Sequence, residues 1–122
     1  MKPRILFLDD EEAVRKVLAA YFGQKGYELV PAVTAIEAMA LADKEHFDLA
    51  IMDINLAGEN GLELLRYFKR NFPKLPVVMF TGLGEGDELM EQAMHRGANG
   101  FMRKGESLDN LFSAVQAYLP KT

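Results

Sequence analysis

Cysteine is absent from the 122 residues. That excludes a disulfide framework, a thiolate nucleophile and thiolate metal coordination, and it permits a reducing compartment. Long apolar runs are missing as well. The opening Met1-Lys2-Pro3-Arg4 followed by Ile5–Leu8 has the outline of a signal peptide, but Asp9, Asp10, Glu11 and Glu12 stop it far short of an apolar h-region. No other run nears the length of a membrane span. A basic excess is lacking too: the formal net charge is −4, which disfavours non-specific binding to nucleic acid or an anionic membrane. There is no internal repeat, low-complexity tract or linker. These absences predict a soluble cytoplasmic chain with no direct nucleic-acid binding and no membrane contact, folded as one domain over residues 1–122.

What is present is patterned. Short apolar runs at Ile5–Leu8, Tyr27–Ala32, Leu49–Met52, Val77–Phe80 and Phe101–Met102 read as strands. The first, third and fourth lack polar alternation, which predicts strands covered on both faces. Helical spacing lies between them. Val14, Val17, Leu18, Tyr21 and Phe22 mark the first helix, with Gly26 as its stop. Thr34 and Glu37 form a capping-box pattern ahead of the second. Leu62, Leu65 and Phe72 mark the third, closed by Pro73 and Pro76. Leu89, Ala93 and Met94 mark the fourth, ending near Gly97. Ser107 caps a fifth, carrying Leu108, Leu111, Phe112, Val115 and Leu119.

Five β-α pairs in this order predict an α/β fold, a flavodoxin-like doubly wound five-stranded parallel sheet with helices on both faces. The expected strand order is 2-1-3-4-5. Pro31 agrees with it, because a strand containing proline belongs at a sheet edge.

The chemistry is concentrated where the strands end. Asp9 and Asp10 follow the first strand, Asp53 the third, Thr81 the fourth and Lys104 the fifth. In a parallel sheet all these carboxyl ends lie on one side, where ligands bind near the topological switch point. Each residue alone has an ordinary reading: a helix cap for Asp9 or Asp10, an Asx turn for Asp53, a locally bonded hydroxyl for Thr81, a solvated surface lysine for Lys104. Taken jointly they predict one pocket. Three carboxylates in one pocket repel, so either one keeps a proton or a cation enters. Oxygen donors without histidine or cysteine suit Mg2+. Mg2+ and Lys104 together balance Asp9, Asp10 and Asp53, and such a pocket can accept a phosphoryl group on a carboxylate.

The order and spacing of LDDEE after the first strand, IMD at the end of the third, Asn60-Gly61, FTG after the fourth, and GANGFMRK through the fifth extend this further. Over essentially its whole length the sequence resembles the receiver domains of two-component response regulators. The resemblance implies a phosphorelay switch rather than a turnover enzyme. Asp53 would accept the phosphoryl group from a sensor histidine kinase or phosphotransfer protein. Asp10 would ligate Mg2+ directly and Asp9 through water, with Asp53 and the backbone carbonyl of Asn55 completing the protein ligands. Lys104 and Thr81 would contact phosphoryl oxygens, and Phe101 would be the switch aromatic. The face built from the fourth helix, fifth strand and fifth helix would meet a downstream protein or output domain, and a dimer through it is left open.

Three departures stand out. Gly105 follows Lys104 where most relatives have proline with a cis bond, which predicts a trans bond and some rearrangement of the loop. Ala57 replaces a common proline. Gly82, Gly84 and Gly86 crowd the loop after Thr81, which predicts a mobile segment. His46 and His95 read as surface helix residues, and the seven methionines as flexible packing. Three alternatives remain: a degenerate receiver that scaffolds partners, an aspartate-nucleophile phosphatase, and a flavin or nucleotide module. The phosphatase normally needs its second acid two residues from the nucleophile and a cap. The nucleotide module needs a phosphate loop where LDDEE stands.

Overall fold

A computed structural model of the chain describes residues 2–53, 61–82 and 87–119. Ten elements alternate: β1 (Arg4–Leu8), α1 (Glu12–Gln24), β2 (Glu28–Ala32), α2 (Ala35–Lys44), β3 (Leu49–Asp53), α3 (Gly61–Asn71), β4 (Val77–Thr81), α4 (Asp87–His95), β5 (Gly100–Arg103) and α5 (Leu108–Gln116). The strands form one parallel sheet in the order β2-β1-β3-β4-β5. This is the expected winding.

The alternation of side chains along each strand divides the core in two. Leu6, Leu8, Ala50, Met52, Val77 and Met79 point to the face covered by α2, α3 and α4. Ala38, Ala42 and Ala93 lie buried there, small enough to bring α2 and α4 close to the sheet. Ile5, Phe7, Leu49, Ile51, Val78 and Phe80 point to the other face, where they meet Leu18 and Phe22 of α1 and Leu111 and Val115 of α5. Every residue of β3 and β4 is buried, as unbroken apolar runs require. In β2, at the edge, Pro31 is exposed and pairs with Phe7.

The helix boundaries follow local chemistry. Thr34 Oγ1 accepts from the Glu37 amide, while the Glu37 carboxylate accepts from the Val33 amide, one residue before the cap. Ser107 Oγ accepts from the Asn110 amide at the start of α5. Gly26, with φ +93°, ends α1 in a left-handed turn in which Tyr27 N donates to Phe22 O and Gly26 N to Gly23 O. That pair of bonds is a Schellman motif.

Some expectations are corrected. Val17 and Met94 are about half exposed, because only part of each apolar stripe reaches the sheet. Tyr27 precedes β2, β5 is longer than Phe101–Met102, and Leu119 is buried although it lies beyond α5. His46 is exposed but is not helical: α2 stops at Lys44 and His46 lies in the approach to β3. His95 does end α4, exposed. Met52, Met79, Met90 and Met102 are packed in the interior. No helix among the described residues is long and apolar enough to cross a membrane.

Candidate functional site

Register builds the site. Leu8 pairs with Met52, so Asp9 stands level with Asp53 one step beyond. Asp53 pairs with Phe80, which puts Thr81 one step further out. Thr81 pairs with Arg103, so Lys104 is one step further again. The result is a ledge along the carboxyl ends of β1, β3, β4 and β5. All five strand-end residues singled out in the sequence meet on it.

Asp9, Asp53 and Thr81 are the buried polar residues among those described, at 0%, 3% and 1% exposure. Asp10 is exposed, yet its carboxylate lies within 4.8 Å of those of Asp9 and Asp53. Asp9 Oδ1 accepts from the Glu11 amide at 2.8 Å, a turn ahead of α1 rather than the helix cap an isolated aspartate suggests, because Glu11 holds the N-cap position. Its carbonyl also accepts from Arg15 of α1 at 2.8 Å. Lys104 reaches across the ledge, with Nζ 3.0 Å from Asp53 Oδ2 and 3.0 Å from Asp9 Oδ2. Its backbone amide donates to Thr81 O at 2.7 Å, which fixes where the side chain starts. Partial burial pulls the Lys104 ammonium down, but the carboxylates of Glu11, Asp9 and Asp53 around it outweigh that and hold it above the usual lysine range.

The Lys104–Gly105 peptide is trans, as the missing proline predicts, and Gly105 turns the chain with φ +100°. A side chain there would be strained. With glycine at that position, Lys104 points into the acidic pocket. Thr81 Oγ1 donates to Met102 O of the adjacent strand at 3.4 Å. Phe101 lies 42% exposed beside α4, in a groove with Met90, Met94 and His95. Asn55, Ala57, Asn60, Leu83, Gly84 and Gly86 lie outside the described residues.

Glu11 was not singled out as a site residue from sequence. In the sequence it is only one of the four acids that end the first apolar run, but in the structure its carboxylate lies 2.9 Å from Lys104 Nζ. The signal was the run of four consecutive acids, of which only the first two were carried into the pocket. Among the described residues, four carboxylates against the Lys104 ammonium leave three formal negative charges on the ledge. Asp9 Oδ2 is fully buried and meets Lys104 as an ion pair, without a hydrogen-bond partner among the described residues. A buried carboxylate oxygen with spare acceptor capacity, among oxygen donors alone, fits a hard cation.

Comparison with known proteins agrees with this arrangement. Residues 5–116 match the family model described as the response regulator receiver domain. The chain is 30% identical over 120 residues to sporulation initiation phosphotransferase F of Bacillus subtilis, covering 98% of this chain and 96% of that protein. It is 32% identical over 118 residues to response regulator protein PilR of Pseudomonas aeruginosa, covering 97% of this chain but 26% of that protein. Chemotaxis response regulator CheY4 of Vibrio cholerae superposes with a TM-score of 0.88 at 25% identity, covering 98% of this chain and 100% of that one. NtrX from Brucella abortus gives a TM-score of 0.91 at 35% identity, covering 98% of this chain and 27% of that one. The chain thus spans nearly all of some relatives and about a quarter of others. A family match over most of the sequence, the 2-1-3-4-5 winding and the acidic ledge lead to one assignment: the chain belongs to the response regulator receiver domains, the signalling switches of two-component systems.

Proposed function

We propose that residues 1–122 form one cytoplasmic receiver unit in which Asp53 accepts a phosphoryl group from the phosphohistidine of a sensor histidine kinase or phosphotransfer protein. One observation carries this reading: the buried Asp53 carboxylate lies 3.0 Å from Lys104 Nζ, on a ledge shared with Asp9, Asp10 and Thr81. In the transfer, a carboxylate oxygen of Asp53 bonds to phosphorus as the P–N bond to the donor histidine breaks, and the imidazole leaves with that electron pair. Asp9, Asp10 and Asp53 would hold Mg2+, with the Asn55 carbonyl as a further ligand. When bound, the ion neutralises charge on the phosphoryl oxygens. Lys104 binds one phosphoryl oxygen and so holds the group in line with Asp53.

Intact mass after incubation with acetyl phosphate and Mg2+ tests this. The expected result is a single phosphoryl adduct that needs Mg2+ and is lost in Asp53→Ala. An adduct that persists in Asp53→Ala overturns the assignment.

The phosphoryl group adds charge and acceptor oxygens. At 3.4 Å the Thr81 hydroxyl bond to Met102 O is long for an O–H donor, and so is given up at little cost. Thr81 then turns to the phosphoryl group, and Phe101 moves inward behind it. Phe101 carries no hydroxyl, so its burial strands no polar group. The α4–β5–α5 face changes with it, and a downstream protein or output domain that binds one form better reads the change. Phe101→Ala is expected to keep phosphorylation while bringing the ratio of phosphorylated to unphosphorylated partner affinity close to one. A ratio equal to that of the unmodified sequence sinks the coupling.

A further inference from the structure

Three carboxylate oxygens lie within 3.0 Å of Lys104 Nζ: Asp9 Oδ2, Asp53 Oδ2 and Glu11 Oε1. Two of the three N–H donors of the ammonium are hydrogen-bonded, to Asp53 Oδ2 and Glu11 Oε1, and Asp9 Oδ2 is held as an ion pair, so a phosphoryl oxygen that takes a hydrogen bond from Lys104 competes with carboxylates already there. Resting on the reading of Asp53 as phosphoacceptor, we propose that Glu11 is a latch on Lys104, a positioning residue whose carboxylate is exchanged for a phosphoryl oxygen.

The three partners differ in how readily they let go. Asp9 is buried and tied down by the Glu11 amide. Asp53 is buried and is the acceptor itself. The Glu11 side chain is 59% exposed, so its carboxylate is rehydrated on release, whereas a buried one would be stranded. Nor does α1 depend on that side chain: Glu11 occupies the N-cap position without a side-chain capping bond. What Glu11 contributes is therefore charge and a hold on Lys104. The charge acts in two opposite directions. It favours a divalent cation on the ledge and opposes the approach of an anionic phosphoryl donor, while its hold on the lysine must be broken for transfer.

This opposition separates the latch from a structural role. The full chain and its Glu11→Gln variant are compared with Glu12→Gln, which removes the same charge one residue away. Glu12 pairs with Lys16 at 2.8 Å on the exposed side of α1. Mg2+ affinity is measured by titration calorimetry, and labelling by acetyl phosphate is followed by intact mass at saturating Mg2+. For an exposed pair, Glu11→Gln is expected to weaken Mg2+ about two- to fivefold and to speed labelling by about the same factor. Glu12→Gln is expected to leave both near the parent values. Labelling that is unchanged or slower in Glu11→Gln overturns the latch, and so does equal acceleration in Glu12→Gln, which would mean general charge. No labelling of the parent chain, seen before any variant is compared, refutes the phosphoacceptor reading and the latch with it.

Discussion

In metal-free buffer, Lys104→Met is expected to unfold at a clearly lower urea midpoint than the parent chain, by about 3 kcal/mol of stability. Lys104 is the cation that holds Asp9 and Asp53 together, and both carboxylates are buried. Removing it leaves two like charges side by side with little water to solvate them. A buried pair broken from one side costs more than the pair is worth intact, because the remaining charge is stranded. The loss is therefore expected to shrink when the stranded charge is also removed. Lys104→Met combined with Asp53→Asn should recover more than half of it. The pH dependence follows from the raised ammonium. A group whose folded pKa lies above its unfolded value stabilises fully below the unfolded value, about 10.4 for lysine, and the contribution fades as pH rises through the folded one. The stability difference between parent and Lys104→Met should then be flat from pH 7 to about pH 10 and close only above that. Equal midpoints for parent and variant at neutral pH would show that Arg15, on the Asp9 carbonyl, suffices as the counter-charge.

Much of this site was legible because a parallel sheet turns sequence position into spatial position. Asp9, Asp53, Thr81 and Lys104 are far apart along the chain, but each follows an apolar run. Ordered parallel strands bring such positions to one edge whatever lies between them. Capping was legible for a related reason. Thr34 and Ser107 act on amides three residues ahead, so the local sequence contains both partners. Gly26 likewise ends α1 by its own backbone freedom.

What escaped the sequence depends on partners far along the chain. The pattern of α2 gives no reason for His46 to lie outside a helix. The chain turns extended at Glu45, where Arg4, some forty residues earlier, binds the Glu45 carboxylate and the His46 carbonyl. The stripe of α1 shows which residues are apolar but not how wide an arc the sheet covers, so Val17 reads like Leu18 although only Leu18 is buried. Glu11 is the same kind of case. Its place at the start of α1 is local, but its partner is 93 residues away and is delivered by the end of β5, where the Lys104 amide is pinned to Thr81 O. Neighbouring residues account for its backbone at the N-cap of α1 and say nothing of where its side chain goes.

The effect of Asp10→Asn on stability is expected to change sign when Mg2+ is added. Among the described residues, Asp9, Asp10, Glu11 and Asp53 outnumber the Lys104 ammonium by three formal charges on the ledge, and Asp10 is one of the contributors. Without metal, neutralising Asp10 relieves repulsion, so Asp10→Asn should melt above the parent chain in chelator. With metal the order should invert. A cation that binds only the folded state stabilises by about 2.7 kcal/mol at one hundred times its Kd. For a domain of this size that is roughly 10 °C in Tm, at about 3–5 °C per kcal/mol. Asp10→Asn loses a charged ligand and most of that gain, so its Tm should hardly move on adding Mg2+ while the parent chain overtakes it. Ca2+ in place of Mg2+ checks that the effect belongs to a hard dication rather than to ionic strength, and an equal charge concentration of NaCl should reproduce little of it. Equal gains in parent and variant would place the metal elsewhere than the Asp9–Asp10–Asp53 cluster. A crossing of the two melting curves between chelator and Mg2+ would tie the acidic excess to the metal through one side chain.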